Sequence, residues 1–231
     1  MANNGFNAAT DIFSLGSKWK VQSSNTNASG SVAECPNALG DTTHRDAYAQ
    51  RIAPSAEYTC IDDVDELPDL GTIVTIESKK VMITQIVVKT AKGAAPSASV
   101  SGVQVEDAAT AKRTYSCGEI ALSARHQAQD ILGLHGDTMP ETITEATFTF
   151  SITPSLADPQ GTIYNSDCAD GKVVAQFTHT SGTGAAISAP SVSGTTKVVS
   201  DPVSKTSPEN DYVTVSYSVT DSLTGAEPSS S

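Results

Sequence analysis

The chain has 231 residues, with 14 Lys and Arg against 26 Asp and Glu and a formal net charge of −12. That balance excludes a basic face built to grip nucleic-acid phosphates and opposes docking on anionic lipid. Val (19), Ile (13) and Thr (27) stand against only 9 Leu, which excludes an all-α fold. β-branched side chains lose rotamer freedom in a helix and suit a pleated surface.

Residues 1–20 are polar with spaced large side chains: Phe6, Ile12, Phe13, Leu15 and Trp19, the only Trp. They form either a first element docked on the core or an arm that anchors on a neighbouring subunit. In the second case Phe6, Phe13 and Trp19 are the anchors, and Trp19→Ala is expected to abolish assembly and leave a folded monomer. Residues 22–31 (QSSNTNASGS) have loop composition. They contain the glycosylation sequon Asn27-Ala28-Ser29, discounted because no secretory signal is recognised at the N-terminus.

Residues 41–53 (DTTHRDAYAQRIA) predict a short helix capped by Asp41 or Thr42, and 56–61 a strand. The acidic turn 62–71 (DDVDELPDLG) is punctuated by Pro68 and Gly71. Strands are predicted at 72–77 and 81–89, joined by a hairpin tip at Ser78-Lys79-Lys80, and another at 97–105. Residues 118–133 break this pattern. Ile120, Ala124, Ala128 and Ile131 recur at helical spacing, with Gly133 and Gly136 able to stop a helix. One amphipathic helix across a sheet is expected there.

The β pattern resumes at 143–152, with Phe148, Phe150 and Ile152 on one face and Thr147, Thr149 and Ser151 on the other. Residues 172–178 and 212–219 follow as strands. Between them, 180–211 is rich in Ser, Thr, Gly and Pro, either a long excursion or a pair of weak edge strands. The tail 221–231 reads as a polar linker. Three parts result: an N-terminal arm (1–20), one β-rich domain (21–220) and the tail. The fold class is mainly β, a β-sandwich or barrel-like domain with one flanking helix at about 118–133 and long loops. Leu, Ile, Val and Phe total only 46 residues, so the core is thin and neighbouring copies are expected to help complete it.

The chemistry-bearing residues are sparse. His44, His126, His135 and His179 have no metal-ligand spacing. No nucleophile elbow, P-loop or dinucleotide fingerprint occurs. Cys35, Cys60, Cys117 and Cys168 form no CxxC pair. They are read as buried thiols, with Cys35–Cys60 or Cys117–Cys168 bridges as the alternative. The run Asp62, Asp63, Asp65, Glu66 and Asp69 fails the calcium-loop pattern, as does 165–171. It is a solvated acidic turn, a weak cation site, or a surface that repels a polyanion. No catalytic, cofactor-binding or metal residue is assigned, and a non-enzymatic role is expected. Aromatic residues are 5% of the chain, too few to line a sugar cleft well. No stretch approaches 18 consecutive apolar residues, so a membrane partner is not expected.

This combination is β-rich, Ser/Thr-rich and acidic, with long polar loops and few catalytic residues. It resembles the virion structural proteins of tailed bacteriophages, in particular the major tail tube proteins of long flexible tails. The resemblance lies in the order of elements across most of the chain and rests on no diagnostic motif. It implies two packed β-sheets flanked by a helix, and an arm reaching to the next ring. It also implies hexameric rings stacked around an acidic DNA channel. Its partners would be other copies of itself, other virion proteins, and DNA that passes without tight binding. The protein would be made in the host cytoplasm and reside in the virion. The acidic residues at 62–69 are then the candidate lumen. A capsid decoration, head-completion or fibre protein shares the same composition. A surface-layer or pilus-like subunit and a carbohydrate-active β-sandwich enzyme are the more distant alternatives.

Overall fold

A computed structural model describes residues 10–36, 42–60, 64–91, 94–106, 111–117, 119–123, 127–131, 143–154, 168–181, 198–199, 204–206 and 213–226. The chain is mainly β and antiparallel, without a closed barrel among the described residues. The first strands are β1 (Trp19–Pro36), β2 (Thr42–Cys60), β3 (Val64–Glu66), β4 (Ile73–Ile76), β5 (Lys79–Ala91) and β6 (Ser97–Gln104). Then come β7 (Thr114–Tyr115), β8 (Glu119–Ser123), β9 (Gln127–Ile131), β10 (Ile143–Pro154) and β11 (Cys168–Ser181). The last are β12 (Val198–Val199), β13 (Ser204–Thr206), β14 (Val213–Ser222) and β15 (Gly225–Ala226).

Ten strands form the main sheet, in the order β1-β2-β6-β5-β10-β11-β14-β12, with β4 beside β5 and β13 beside β14. Period-two alternation puts its apolar residues on one face. In register, Tyr58, Ala98, Val88, Phe148, Ala175 and Val219 make one row across six strands, each at most 2% exposed. The next row is Ala56, Val100, Ile86, Phe150, Val173 and Asp221. Phe148 and Phe177 meet edge to face at 5.6 Å, adding an aromatic pair to the burial.

Two helix expectations are corrected. Residues 41–53 were expected to start a helix, but Thr42–Cys60 is one long strand paired with β1 along its length. The loop expected at 22–31 lies within β1, the other half of that hairpin. The helix at about 118–133 is replaced, among its described residues, by β8 and β9, with Ile120 opposite Ile131. The physical reason is that apolar residues at 120, 124, 128 and 131 fall at helical spacing along the sequence without requiring a helix. A partner 57 positions upstream, β3, pairs Val64 with Ala121. β3, β8 and β9 form a small second sheet, and β9 approaches β5 and β10 of the main one.

The strands expected at 72–77, 81–89, 97–105, 143–152, 172–178 and 212–219 coincide with β4, β5, β6, β10, β11 and β14 to within a few residues. The tip between β4 and β5 is Glu77-Ser78 rather than 78–80. Ile76 pairs with Lys79, and both turn residues have positive φ, 50° and 65°. That is the backbone of a primed two-residue hairpin turn, usually built from Asn or Gly. In 180–211 the described residues are the end of β11 (180–181) and two short strands, β12 and β13, both laid on β14.

Candidate assembly interface

Residues Ile12, Phe13, Leu15 and Trp19 join the core cluster. Asp11 fixes their path. Its Oδ1 accepts hydrogen bonds from Ser14 N at 2.8 Å, Leu15 N at 3.4 Å and the Tyr58 hydroxyl at 2.8 Å. Burial, then this hydrogen bond and the carboxylate charge, push the Tyr58 hydroxyl well above the ordinary tyrosine pKa. Phe13 and Trp19, expected as anchors on a neighbour, are therefore 2% and 3% exposed within their own chain. Trp19→Ala tests the monomer's own packing rather than an interface. Phe6 lies outside the described residues.

The acidic run is divided by the fold. Asp62 and Asp63 lie outside the described residues. Asp65 and Glu66 occupy β3, at the register positions of Ile120 and Glu119. Asp69 is half-buried, and its carbonyl accepts from Thr72 N at 3.3 Å. Leu67 and Leu70, which sequence reading left within an acidic turn, are core residues at 5% and 0% exposure. Leu70 bridges to Tyr115 through a reciprocal pair of backbone hydrogen bonds. The signal for both was available: two leucines three apart inside an otherwise polar stretch.

Tyr115 organises this end of the molecule. Its ring lies over Gly171, where any Cβ would collide with it, and beside Gly225. Its hydroxyl donates to Cys168 O at 3.5 Å. β15 pairs with β7, and Leu223 N donates to Gly171 O at 2.8 Å, so the C-terminal segment is strapped onto this ring through Ala226. Cys168 Sγ donates to Arg113 O at 3.4 Å. Cys60, Cys117 and Cys168 are all buried as thiols. Burial pushes the Cys117 thiol up to about 12, with Asp69 adding to the rise and a Leu70 backbone hydrogen bond opposing it. A thiol so raised is a poor nucleophile. Among the described residues no three His, Cys, Asp or Glu side chains gather where a metal ion could sit. No helix there is long and apolar enough to cross a membrane.

Two surfaces remain. The first is the polar face of the main sheet. Glu57, Ser99, Val87, Thr149, Val174 and Thr220 form one row, and Thr59, Ser97, Lys89, Thr147, Gln176 and Ser218 the next. Its hydroxyls are half-buried between longer side chains, and its exposed charges include Glu57, Glu145, Lys89 and Lys172, two of each sign. The second is the β1–β2 hairpin. β6 supports β2 only from Ser55 to Thr59, and Gln104 Oε1 takes the Ile52 N–H at 3.1 Å as the last tie. Beyond it, β1 and β2 continue as a two-stranded ribbon from Ala28↔Ile52 to Pro36↔Thr42. At strand rise this is about 30 Å of hairpin. Such a ribbon is marginal in water without a third strand.

No known protein-family model matches the chain, and none of the curated proteins compared with it matches.

Proposed function

We propose that this chain is a self-assembling structural subunit of a tailed-bacteriophage virion, stacked as hexameric rings into a tail tube that conducts DNA. The observation that carries this reading is the ribbon, some 30 Å of paired backbone that the subunit's own sheet does not back. Ordered hairpins of that length gain stability when a neighbour packs against them. The described strands bury their apolar face within one chain, so in this reading the subunit folds first and assembles afterwards.

The polar sheet face supplies a surface suited to a passing polyanion. Tight phosphate binding requires cations that displace counterions. A field of Ser and Thr hydroxyls with charges of both signs offers no such excess. In this reading the hydroxyl face and the acidic residues near 62–69 line the channel. DNA slides along it without adhering, and the subunit carries no catalytic group, cofactor or metal.

Negative-stain electron microscopy of the purified protein across a concentration series tests the proposal. Rings or hollow tubes with a stain-filled centre are expected. Discrete trimers or knobs that bind empty capsids would replace it with a decoration or fibre protein.

A further inference from the structure

β1 is the edge strand of the main sheet, and no described strand pairs with its outer side. At the other end of the sheet, β12 and β13 already lie on β14, over 219–220 and 214–216. Open edges invite strand addition, and proteins usually blunt them with charges or proline. β1 does the opposite. From Val21 to Ala33 it holds no ionisable side chain and no proline, in a chain of net charge −12. The two charges of the strand are Lys20 and Glu34, seven residues before and seven residues after Asn27. Around Asn27, Ser23–Ser29 pairs with β2 without irregularity; β1 gains a residue at Gln22, and β2 gains one opposite Gly30 and another between Cys35 and Pro36.

We infer that the β1 edge of the free protein is closed by the β1 edge of a second copy, antiparallel and centred on Asn27. This two-fold register sets Lys20 of one copy opposite Glu34 of the second copy, twice. It also converts each two-stranded ribbon into part of a four-stranded sheet, β2-β1-β1-β2, beyond the two strands that are marginal alone. Like-charge repulsion between the two acidic chains is lowest along this uncharged strip.

A two-fold contact is self-complementary and closes on itself, so it cannot propagate head to tail. In a tube-forming particle this dimer is therefore the resting state of the free subunit. Assembly must open it to release both ribbons. The inference does not rest on the virion role and holds for any particle the subunit builds.

The test uses single cysteines in a Cys35→Ser background, whose three other thiols are buried. In the inferred register residue 27 faces itself and residue 25 faces residue 29. Under mild oxidation Asn27→Cys should give a disulfide-linked dimer. Asn25→Cys alone should not, but should cross-link when mixed with Ser29→Cys. Light scattering of the wild type should show twice the monomer mass. Lys20→Glu should weaken the dimer about tenfold, and adding Glu34→Lys should restore it. Unchanged Trp19 fluorescence checks that each variant is folded. A monomeric mass at all concentrations, with no cross-link from Asn27→Cys, overturns the inference. Cross-linking of Asn25→Cys only to a cysteine placed on β14 overturns it as well, in favour of head-to-tail pairing.

Discussion

Tyr58→Phe isolates the contact that ties the N-terminal segment to the sheet. The ring is fully buried in a six-strand row, and phenylalanine fills the same space. Only the hydroxyl is lost, together with its 2.8 Å hydrogen bond to Asp11. A hydrogen bond to a charged acceptor contributes about 1.5–3 kcal/mol. Asp11 keeps its two backbone donors, so the expected cost at pH 7 is near the lower end, about 2 kcal/mol. The pH dependence separates this from a packing defect. The folded hydroxyl holds its proton above the ordinary value of 10.0, whereas the unfolded one does not. The contribution is therefore whole below pH 10 and is lost as pH rises from there toward the folded value. Within that range the wild type should lose its advantage over Tyr58→Phe at about 1.4 kcal/mol per pH unit. Urea unfolding followed by Trp19 fluorescence reads both quantities. Lysine titration is common to the two proteins and cancels in the difference. A gap that stays constant from pH 8 to 11, or a cost below about 0.5 kcal/mol at pH 7, would refute the assignment.

Four further outcomes follow from the fold. Phe148→Ala removes a fully buried ring from the sheet centre and its partner contact with Phe177, and should cost about 4 kcal/mol in urea unfolding. Thr149→Ala, its neighbour on the hydroxyl face, should cost less than about 1 kcal/mol. Gly171→Ala forces a methyl into the Tyr115 ring and should free the C-terminal strap, read as faster amide exchange at Leu223 and Gly225. In a Cys35→Ser variant at pH 8, a thiol reagent should find no fast-reacting cysteine in the native state and three after unfolding.

How much of this was legible depended on where each strand found its partner. β4 and β5 turn back on each other within two residues, and β10 carries Phe148, Phe150 and Ile152 on one side by simple alternation. Both were visible because local period and local turn agree. β1 was hidden because its Ser and Asn residues have loop composition. It becomes a strand through partners up to 41 positions away, as in Trp19↔Cys60. β8 and β9 were hidden because Ile120, Ala128 and Ile131 also fall at helical spacing along the sequence. The distant β3 supplies the third strand. Trp19 and Phe13 looked like anchors because they stand alone in a polar segment. A lone aromatic in such a segment is equally what pins it to its own core, and Asp11 under Tyr58 shows which case holds.

The division between what folds the subunit and what joins subunits follows from the same sheet. Six strands contribute to each buried row, and the N-terminal segment, Leu67, Leu70 and Tyr115 belong to the same core. The described core is thus drawn from one chain. Among the described residues, what is left without a strand partner is backbone, along the outer side of β1 and the ribbon beyond β6. Association through backbone edges demands little hydrophobic surface. In the inferred dimer it makes register rather than burial the determinant of which copies meet. In that register the opposed positions of Lys20 and Glu34 act as the selector, since a slip of one residue would separate both pairs and flip every side chain of the strand.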